Sequence, residues 1–254
     1  MKTIRPIHPN KGIEAKYRKQ LKKLIADMNE SYVFWLTAGY RKNPPVMAVD
    51  ELPSKTIKKY LSDLGERWLK NFDAVIAAIV DGMVNKQMKM TSTAFQKELK
   101  NAGWSVDFKM TPAMKDIASA TISENIALIK SIPIDYHAKV QGAVMRGYAA
   151  GHDLQAITKD IKNIYRVTDN RAALIARDQV SKLNSATTAA RQQEVGIKQA
   201  IWLHSTAGKK PRPDHVKANN QIYDVDKGML LDDGWVHPGY LINCRCTCRA
   251  VLPF

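Results

Sequence analysis

Cysteine is scarce in this chain: three among 254 residues, all of them in the single run Cys244, Cys246 and Cys248. So few, so clustered, they cannot form the dispersed, even-numbered framework that staples small secreted folds, and a reducing compartment is expected. Long apolar runs are missing too. The most extended, "AVIAAIV" at 74–80, falls far short of the ~20 residues that a membrane-spanning helix needs. The opening "MKTIRPIHPNKG" is too polar for a signal peptide, which again points to the cytoplasm as the site of synthesis. There is no internal repeat, no low-complexity tract, no glycine-rich phosphate loop and no helix-turn-helix spacing, so a repeat array, a P-loop enzyme and a sequence-specific DNA regulator are all disfavoured. Acidic residues are few beside basic ones, 24 against 39, for a net charge of +15.

What remains is an ordinary globular balance, 45% hydrophobic and 25% charged, in a chain long enough for one or two domains. The positive charge sits at the two ends: residues 1–60 hold 13 Lys and Arg against 5 Asp and Glu, whereas residues 61–160 are nearly neutral. A basic end fits an acidic partner or DNA, and equally the solvated face of an amphipathic helix.

Apolar residues recur at three- and four-residue steps over most of the chain, which predicts helices. The stripe Ile13, Tyr17, Leu21, Leu24, Ile25, Met28, Tyr32, Trp35 and Leu36 marks a first helix, broken at Pro44 and Pro45. A second starts after Pro53 with Ser54 as its cap and runs through Ile57, Leu61, Trp68, Phe72, Ile76 and Val84. Thr111 followed by Pro112 opens a third, expected to end near Pro133. A further helical stretch ends at Gly151, another is capped by Asp153 and runs through "HDLQAITKDIKNIY", and a third, "TDNRAALIARDQVSKLNSATTAARQQEVGI", is ended by Gly196.

After Gly196 the period changes from that of a helix to that of a strand. "KQAIWLHS" and "NQIYDV" have β-branched and aromatic content, and "NCRCTCRAVL" alternates at period two. The expected fold is therefore α+β: a long helical N-terminal region, residues 1–110, followed by a small C-terminal α+β module, residues 111–254, with a short antiparallel sheet. On an extended strand Cys244, Cys246, Cys248, Ala250 and Leu252 share one face. Small apolar thiols packed against a core need no metal to explain them. Two thiolates on one face can nevertheless bind one Zn²⁺, with His215 and His237 upstream to complete four ligands, although the spacing differs from the common Cys-x₂₋₄-Cys modules. Redox chemistry is the third reading.

The order "ARDQVSKLNSATTAARQQEVGI", "IWLHS", "KPRPDHVKANNQIYDV", "HPGYLINCRC" resembles the C-terminal domain of phage minor head proteins, the Mu F-like head morphogenesis family. The resemblance covers roughly residues 130–254. It implies a minor capsid protein of a tailed phage or prophage, assembled in the bacterial cytoplasm and residing in the virion, in the head interior or at the portal vertex. Its implied partners are the portal, capsid or scaffold proteins and, non-specifically, double-stranded DNA during packaging, with no membrane. Many relatives carry Cys-x-x-Cys where this chain has "RPDH", Arg212 to His215, so a four-thiolate site is lost here, no cofactor follows from the resemblance, and Cys248 is an addition to the motif.

Two further readings concern particular residues. His204, Arg212, His215, His237 and Arg245 fall near the small sheet, and His215 with His237 as an acid–base pair and Arg212 as the cation would suit a small nuclease. No acidic pair accompanies them, which weighs against a metal nuclease and leaves a structural protein favoured. Between the apolar positions of the first helix stand Lys16, Lys19, Lys22 and Lys23, placed to face a partner or DNA, with Tyr17, Tyr32 and Trp35 either aromatic anchors for a protein interface or packed within this chain's own helical bundle.

Overall fold

The computed structural model describes residues 1–42, 53–150, 154–207 and 210–254. The elements run α1 (Lys11–Lys42), α2 (Pro53–Asn101), α3 (Pro112–Ala149), α4 (Leu154–Glu194), β1 (Gln199–Leu203), α5 (Pro213–Lys217), β2 (Ile222–Asp224), β3 (Met229–Leu231), β4 (Gly234–Val236) and β5 (Thr247–Ala250). Long helices come first and short antiparallel strands last, the α+β order expected.

Local chemistry sets the helix ends. Asn10 Oδ1 accepts the Ile13 N–H at 3.0 Å to cap α1. Thr111 Oγ1 accepts the Met114 N–H at 3.3 Å ahead of Pro112, the cap-then-proline signature of α3. α4 closes in a Schellman turn, with Gly196 at φ 74°, Ile197 N–H bonded to Gln192 O at 2.9 Å and Gly196 N–H to Gln193 O at 3.0 Å. α2 begins at Pro53, so Ser54 stands inside its first turn rather than capping it. The break at Pro44 and Pro45, and the roles given to Gly151 and Asp153, lie outside the described residues.

Two expected breaks are absent. α3 passes straight through Pro133. An internal proline costs about 3 kcal/mol, but Ile129, Ile132, Tyr136 and Val140 flank it and are all at most 1% exposed, and full burial stabilises by about 1.5–3 kcal/mol per large side chain. Packing outweighs the lost hydrogen bond. Likewise α4 is one continuous helix where two stretches were read, because its buried stripe from Ile157 and Ile161 to Val180 and Leu183 never loses helical period.

The chain forms two compact units, neither of them a continuous segment: Met1–Tyr17 with Val80–Glu124 and Leu174–Phe254, and Arg18–Ile79 with Asn125–Ala173. Each draws on sequence from both sides of residue 110.

The second unit is helical throughout. Leu21, Ile25, Met28, Tyr32, Leu61, Phe72, Ile76, Ile129 and Tyr136 are its buried apolar side chains. Tyr136 donates its hydroxyl to Asn29 Oδ1 at 2.8 Å and meets Tyr32 edge-on at 5.3 Å. The Tyr32 hydroxyl lies 2.9 Å from His137 Nδ1. Burial pushes Tyr32 and Tyr136 well above the usual phenol range and lowers His137. Tyr32 is therefore a core residue of this unit, and Tyr17 is equally buried, at 1% exposure; of the three aromatics expected to anchor a partner only Trp35 stays open, at 45%.

The first unit carries the sheet, in order β2-β1-β5 and antiparallel throughout, with Ala200 opposite both Tyr223 and Ala250 and Trp202 opposite Cys248. β3 and β4 form a separate hairpin. The N-terminal segment extends the edge of β5: Thr3 bridges Val251, and Leu252 N–H bonds to Lys2 O at 2.9 Å. Phe95 and Leu99 of α2, Ile197, Ala200, Trp202, Tyr223 and Leu252 share one buried core. Two polar side chains fasten this core to the helices. Asn184 donates to Ile7 O at 3.0 Å and accepts from Thr91 Oγ1 at 2.9 Å. Arg191 donates to Ser92 Oγ, Lys109 O and Glu194 and stacks over Phe108 at 4.7 Å. Both residues belong to the "ARDQVSKLNSATTAARQQEVGI" run that carries the family resemblance, and here both are scaffold residues.

Candidate metal centre

Three chain segments of the first unit converge below β1: its own C-terminal end at His204, the short α5 with His215, and the turn leading into β5 with Cys244 and Cys246. His215 is 2% exposed and both cysteines 5%. Its Nδ1 lies 3.5 Å from Cys244 Sγ and 3.7 Å from Cys246 Sγ, and Cys246 Sγ is 3.7 Å from His204 Nδ1. The donor atoms of His215, Cys244 and Cys246 all fall within 4.8 Å of one another.

Each ligand is positioned for a local reason. Pro213 in the first turn of α5 presets its backbone, and the Asp214 carboxylate accepts the His215 N–H at 2.8 Å and the Asp232 N–H at 3.3 Å. The 239–244 turn is held from α4: Ser181 Oγ donates to Gly239 O at 3.1 Å, Asp178 Oδ1 accepts the Asn243 N–H at 3.1 Å, and Arg177 donates to Asn243 Oδ1. Gly239 sits at φ 88°, where a Cβ would come within 3.0 Å of Cys246 O, so only glycine fits. Its N–H donates to Cys244 Sγ at 3.3 Å.

The strand reading of the cysteine run is corrected at one end. β5 starts at Thr247, and Cys244 belongs to a turn with Asn243 at φ 62° and its own N–H bonded to Leu241 O at 2.9 Å. The alternation of burial persists through Cys244, Cys246, Ala250 and Leu252. All three cysteines are free thiols, and Cys248 accepts from Gln192 Nε2 at 3.5 Å, away from the cluster.

Electrostatics make the two thiols unequal. Cys244 is held below the ordinary thiol range, first by the hydrogen bond it receives from the Cys246 thiol and then by backbone N–H groups of Cys246 and Gly239 and the nearby His215. Cys246 is pushed up by that same hydrogen bond, by burial and by the charge on Cys244. Burial raises Asp178 against the opposing pull of the Asn243 N–H and Arg177.

His237 stands elsewhere. Its ring meets Tyr223 at 6.2 Å, Tyr223 meets Trp202, and Trp202 meets His215 at 5.2 Å, so a chain of aromatic contacts links the two imidazoles and no direct hydrogen bond does. Burial lowers His237. Arg212 pairs with Asp233 at 3.7 Å and donates to Ile242 O at 3.2 Å, while Arg245 donates to Ala207 O at 2.6 Å. A cleft of about 330 Å³ opens beside the cluster, with Lys210, Arg212, Arg245 and His204 on its wall. The structure thus gathers His215, Cys244 and Cys246 and sets His204, not His237, beside them. Of the lysines on α1, Lys16, Lys19 and Lys23 are exposed, whereas Lys22 pairs with Asp169 at 2.7 Å.

Residues 138–249 match the family model described as Phage Mu protein F like protein, a span that contains the whole cluster. An uncharacterized protein of Haemophilus influenzae is 31% identical over 255 residues, an alignment that takes in 98% of this chain and 55% of that protein. The chain thus spans about half the length of the curated relative it matches. No solved structure matches the chain. Among the described residues, no helix is long and apolar enough to cross a membrane.

Proposed function

With residues 138–249 belonging to the Mu F-like phage head morphogenesis family, we propose that this protein is a minor capsid component of a tailed phage or prophage, acting at or near the portal vertex while the DNA-filled head is assembled. The match over 138–249 is the observation that carries this reading. The architecture supports it: the residues of the family-like motifs, Asn184, Arg191, Trp202 and Cys246, are buried, and Asn184 and Arg191 tie helices to neighbouring segments. His215 faces two sulfurs and His237 faces a phenol ring, so an acid–base pair for nucleic-acid cleavage is not assembled from them.

The partners proposed are the portal and neighbouring capsid or scaffold proteins, with packaged double-stranded DNA as a sequence-independent contact, and the location is the virion head. Phe34 and Trp35, 65% and 45% exposed and packed edge to face at 5.4 Å, offer the aromatic contact that protein interfaces enrich. Exposed Lys16, Lys19 and Lys23 offer charge to an acidic portal surface or to phosphates. Both compact units use sequence before residue 110, so the test relies on surface substitutions rather than truncation. The portal is co-expressed with the wild-type chain, with Phe34→Ser/Trp35→Ser and with Lys16→Glu/Lys19→Glu/Lys23→Glu, and co-purification is compared at low and high salt. Portal docking predicts retention of the wild type at high salt and loss with the aromatic pair changed. DNA contacts alone predict steep loss with salt for every form, and no retention of any form would remove the portal as a partner.

A further inference from the structure

We propose that His215, Cys244 and Cys246, joined by His204, form a Zn²⁺ site that fastens the end of β1, α5 and the turn before β5 into one module. The inference is independent of the assembly reading above. The distances carry it. Four-coordinate zinc with Zn–S of about 2.3 Å and Zn–N of about 2.05 Å gives a tetrahedron whose sulfur–nitrogen edge is about 3.6 Å. The three sulfur–imidazole separations are 3.5, 3.7 and 3.7 Å. The two made by His215 match adjacent edges of that tetrahedron, and the donor atoms of His215, Cys244 and Cys246 all lie within 4.8 Å of one another, whereas His204 stands outside that group and contacts Cys246.

Hydrogen bonding alone explains this arrangement poorly. A neutral imidazole Nδ1 has either one proton or one lone pair, so that of His215 can bond well to only one of the two sulfurs it faces, and at 2% exposure water does not serve the other contact. A metal ion serves both contacts at once. Charge agrees as well: on binding, the two thiols release their protons to solvent, and two thiolates with two neutral imidazoles exactly offset the dication, so a neutral centre is buried. Two sulfur and two imidazole donors in tetrahedral array select zinc over the oxygen-seeking cations. Supporting contacts are present on the cysteine side, where the Gly239 N–H donates to Cys244 Sγ and α4 grips the turn through Ser181 and Asp178, while His215 Nε2 is buried without a hydrogen-bond partner. His204 is half-buried at the cleft wall with its Nδ1 3.7 Å from Cys246 Sγ, and its imidazole must turn toward the other three donors to take the fourth position. The short strands of this module, three to five residues each, are the kind of scaffold that gains most from such a staple.

The test uses the full chain, expressed with zinc in the medium and dialysed, with metal content measured by mass spectrometry and stability by thermal melting. About one zinc per chain is expected. Its removal by a strong chelator should lower the melting midpoint by at least about 5 °C, with recovery when zinc is restored. Cys246→Ser and His215→Ala should lose the metal, His204→Ala should weaken binding at least tenfold, and Cys248→Ser and His237→Ala should keep it. Cobalt substituted into the wild type should show tetrahedral visible bands with thiolate charge transfer, a signature that does not depend on any variant folding. A dialysed chain holding less than about a tenth of an equivalent of zinc, unchanged in melting when zinc is added, overturns the site. So does loss of zinc in Cys248→Ser or His237→Ala as complete as in Cys246→Ser.

Discussion

Replacing Arg191 by alanine should be among the most damaging single changes in the first unit. The side chain is 4% exposed and forms three directional contacts, Nε to Ser92 Oγ at 3.0 Å and Nη1 to Lys109 O at 2.8 Å and Glu194 Oε2 at 2.5 Å. Its guanidinium also lies over Phe108, 4.7 Å from the ring centre. Alanine leaves a backbone carbonyl without its donor and a carboxylate without its cation. Breaking a buried pair costs about 3–5 kcal/mol, but Glu194 is 27% exposed and water takes up part of that loss. The lost stacking adds about 0.5–2 kcal/mol. A destabilisation of about 3 kcal/mol is expected, or about 6–12 °C in melting midpoint for a chain of this size. Arg191→Lys keeps the charge but not the planar fork that reaches several acceptors, so it should lose about half as much. Urea unfolding followed by tryptophan fluorescence reads both variants. An Arg191→Ala chain within about 1 kcal/mol of wild type would refute the view that this motif residue is a scaffold clamp.

Other expectations follow from single contacts. Tyr136→Phe removes the hydroxyl that bonds to Asn29 and should cost about 1 kcal/mol in chemical denaturation. Gly239→Ala forces a left-handed backbone and a 3.0 Å approach to Cys246 O, so it should destabilise by about 2 kcal/mol and raise the reactivity of Cys244 and Cys246 toward a thiol reagent. Pro133→Ala restores the missing helix donor and should stabilise α3 by about 1 kcal/mol, read as a rise in melting midpoint. Burial holds His137 and His237 below their ordinary 6.5, so the unfolded chain binds protons that the folded chain refuses. Their contribution is complete above pH 6.5 and is lost as pH falls through the window down to their folded values. Urea midpoints at pH 7.5 and 5.5 should therefore differ, and the difference should shrink in His137→Gln.

Much of this was legible in the residues because period reports burial. Of the stripe from Tyr17 to Leu36, Tyr17, Leu21, Ile25, Met28, Tyr32 and Leu36 are the buried face of α1 while Trp35 is exposed, and the Thr111–Pro112 and Gly196 signals mark real helix ends. Pro133 misled because a local penalty is weighed against tertiary packing that no window of sequence displays. The β3–β4 hairpin turns at Asp232–Asp233 with Gly234 already paired to Leu231, and its strands of three residues are too short to show alternation. The pairing of residues 2–4 with 250–252 has no local signature at all. At the site, the Cys-x-Cys pair and His215 could be singled out by residue type. That His204 rather than His237 joins them depends on where β1 ends against α5, a tertiary fact. The fate of Tyr17 and Tyr32 was open for the same reason: an amphipathic stripe shows that a face is covered, not by what.

The most direct test of the assembly reading compares particles made by a prophage with and without this chain, using negative-stain imaging and measurement of packaged DNA. A minor head component predicts fewer, misshapen or DNA-poor heads in its absence, restored by the wild-type chain, with the protein found in purified wild-type virions. Particles identical in number, shape and DNA content, together with absence of the protein from the virion, would contradict it.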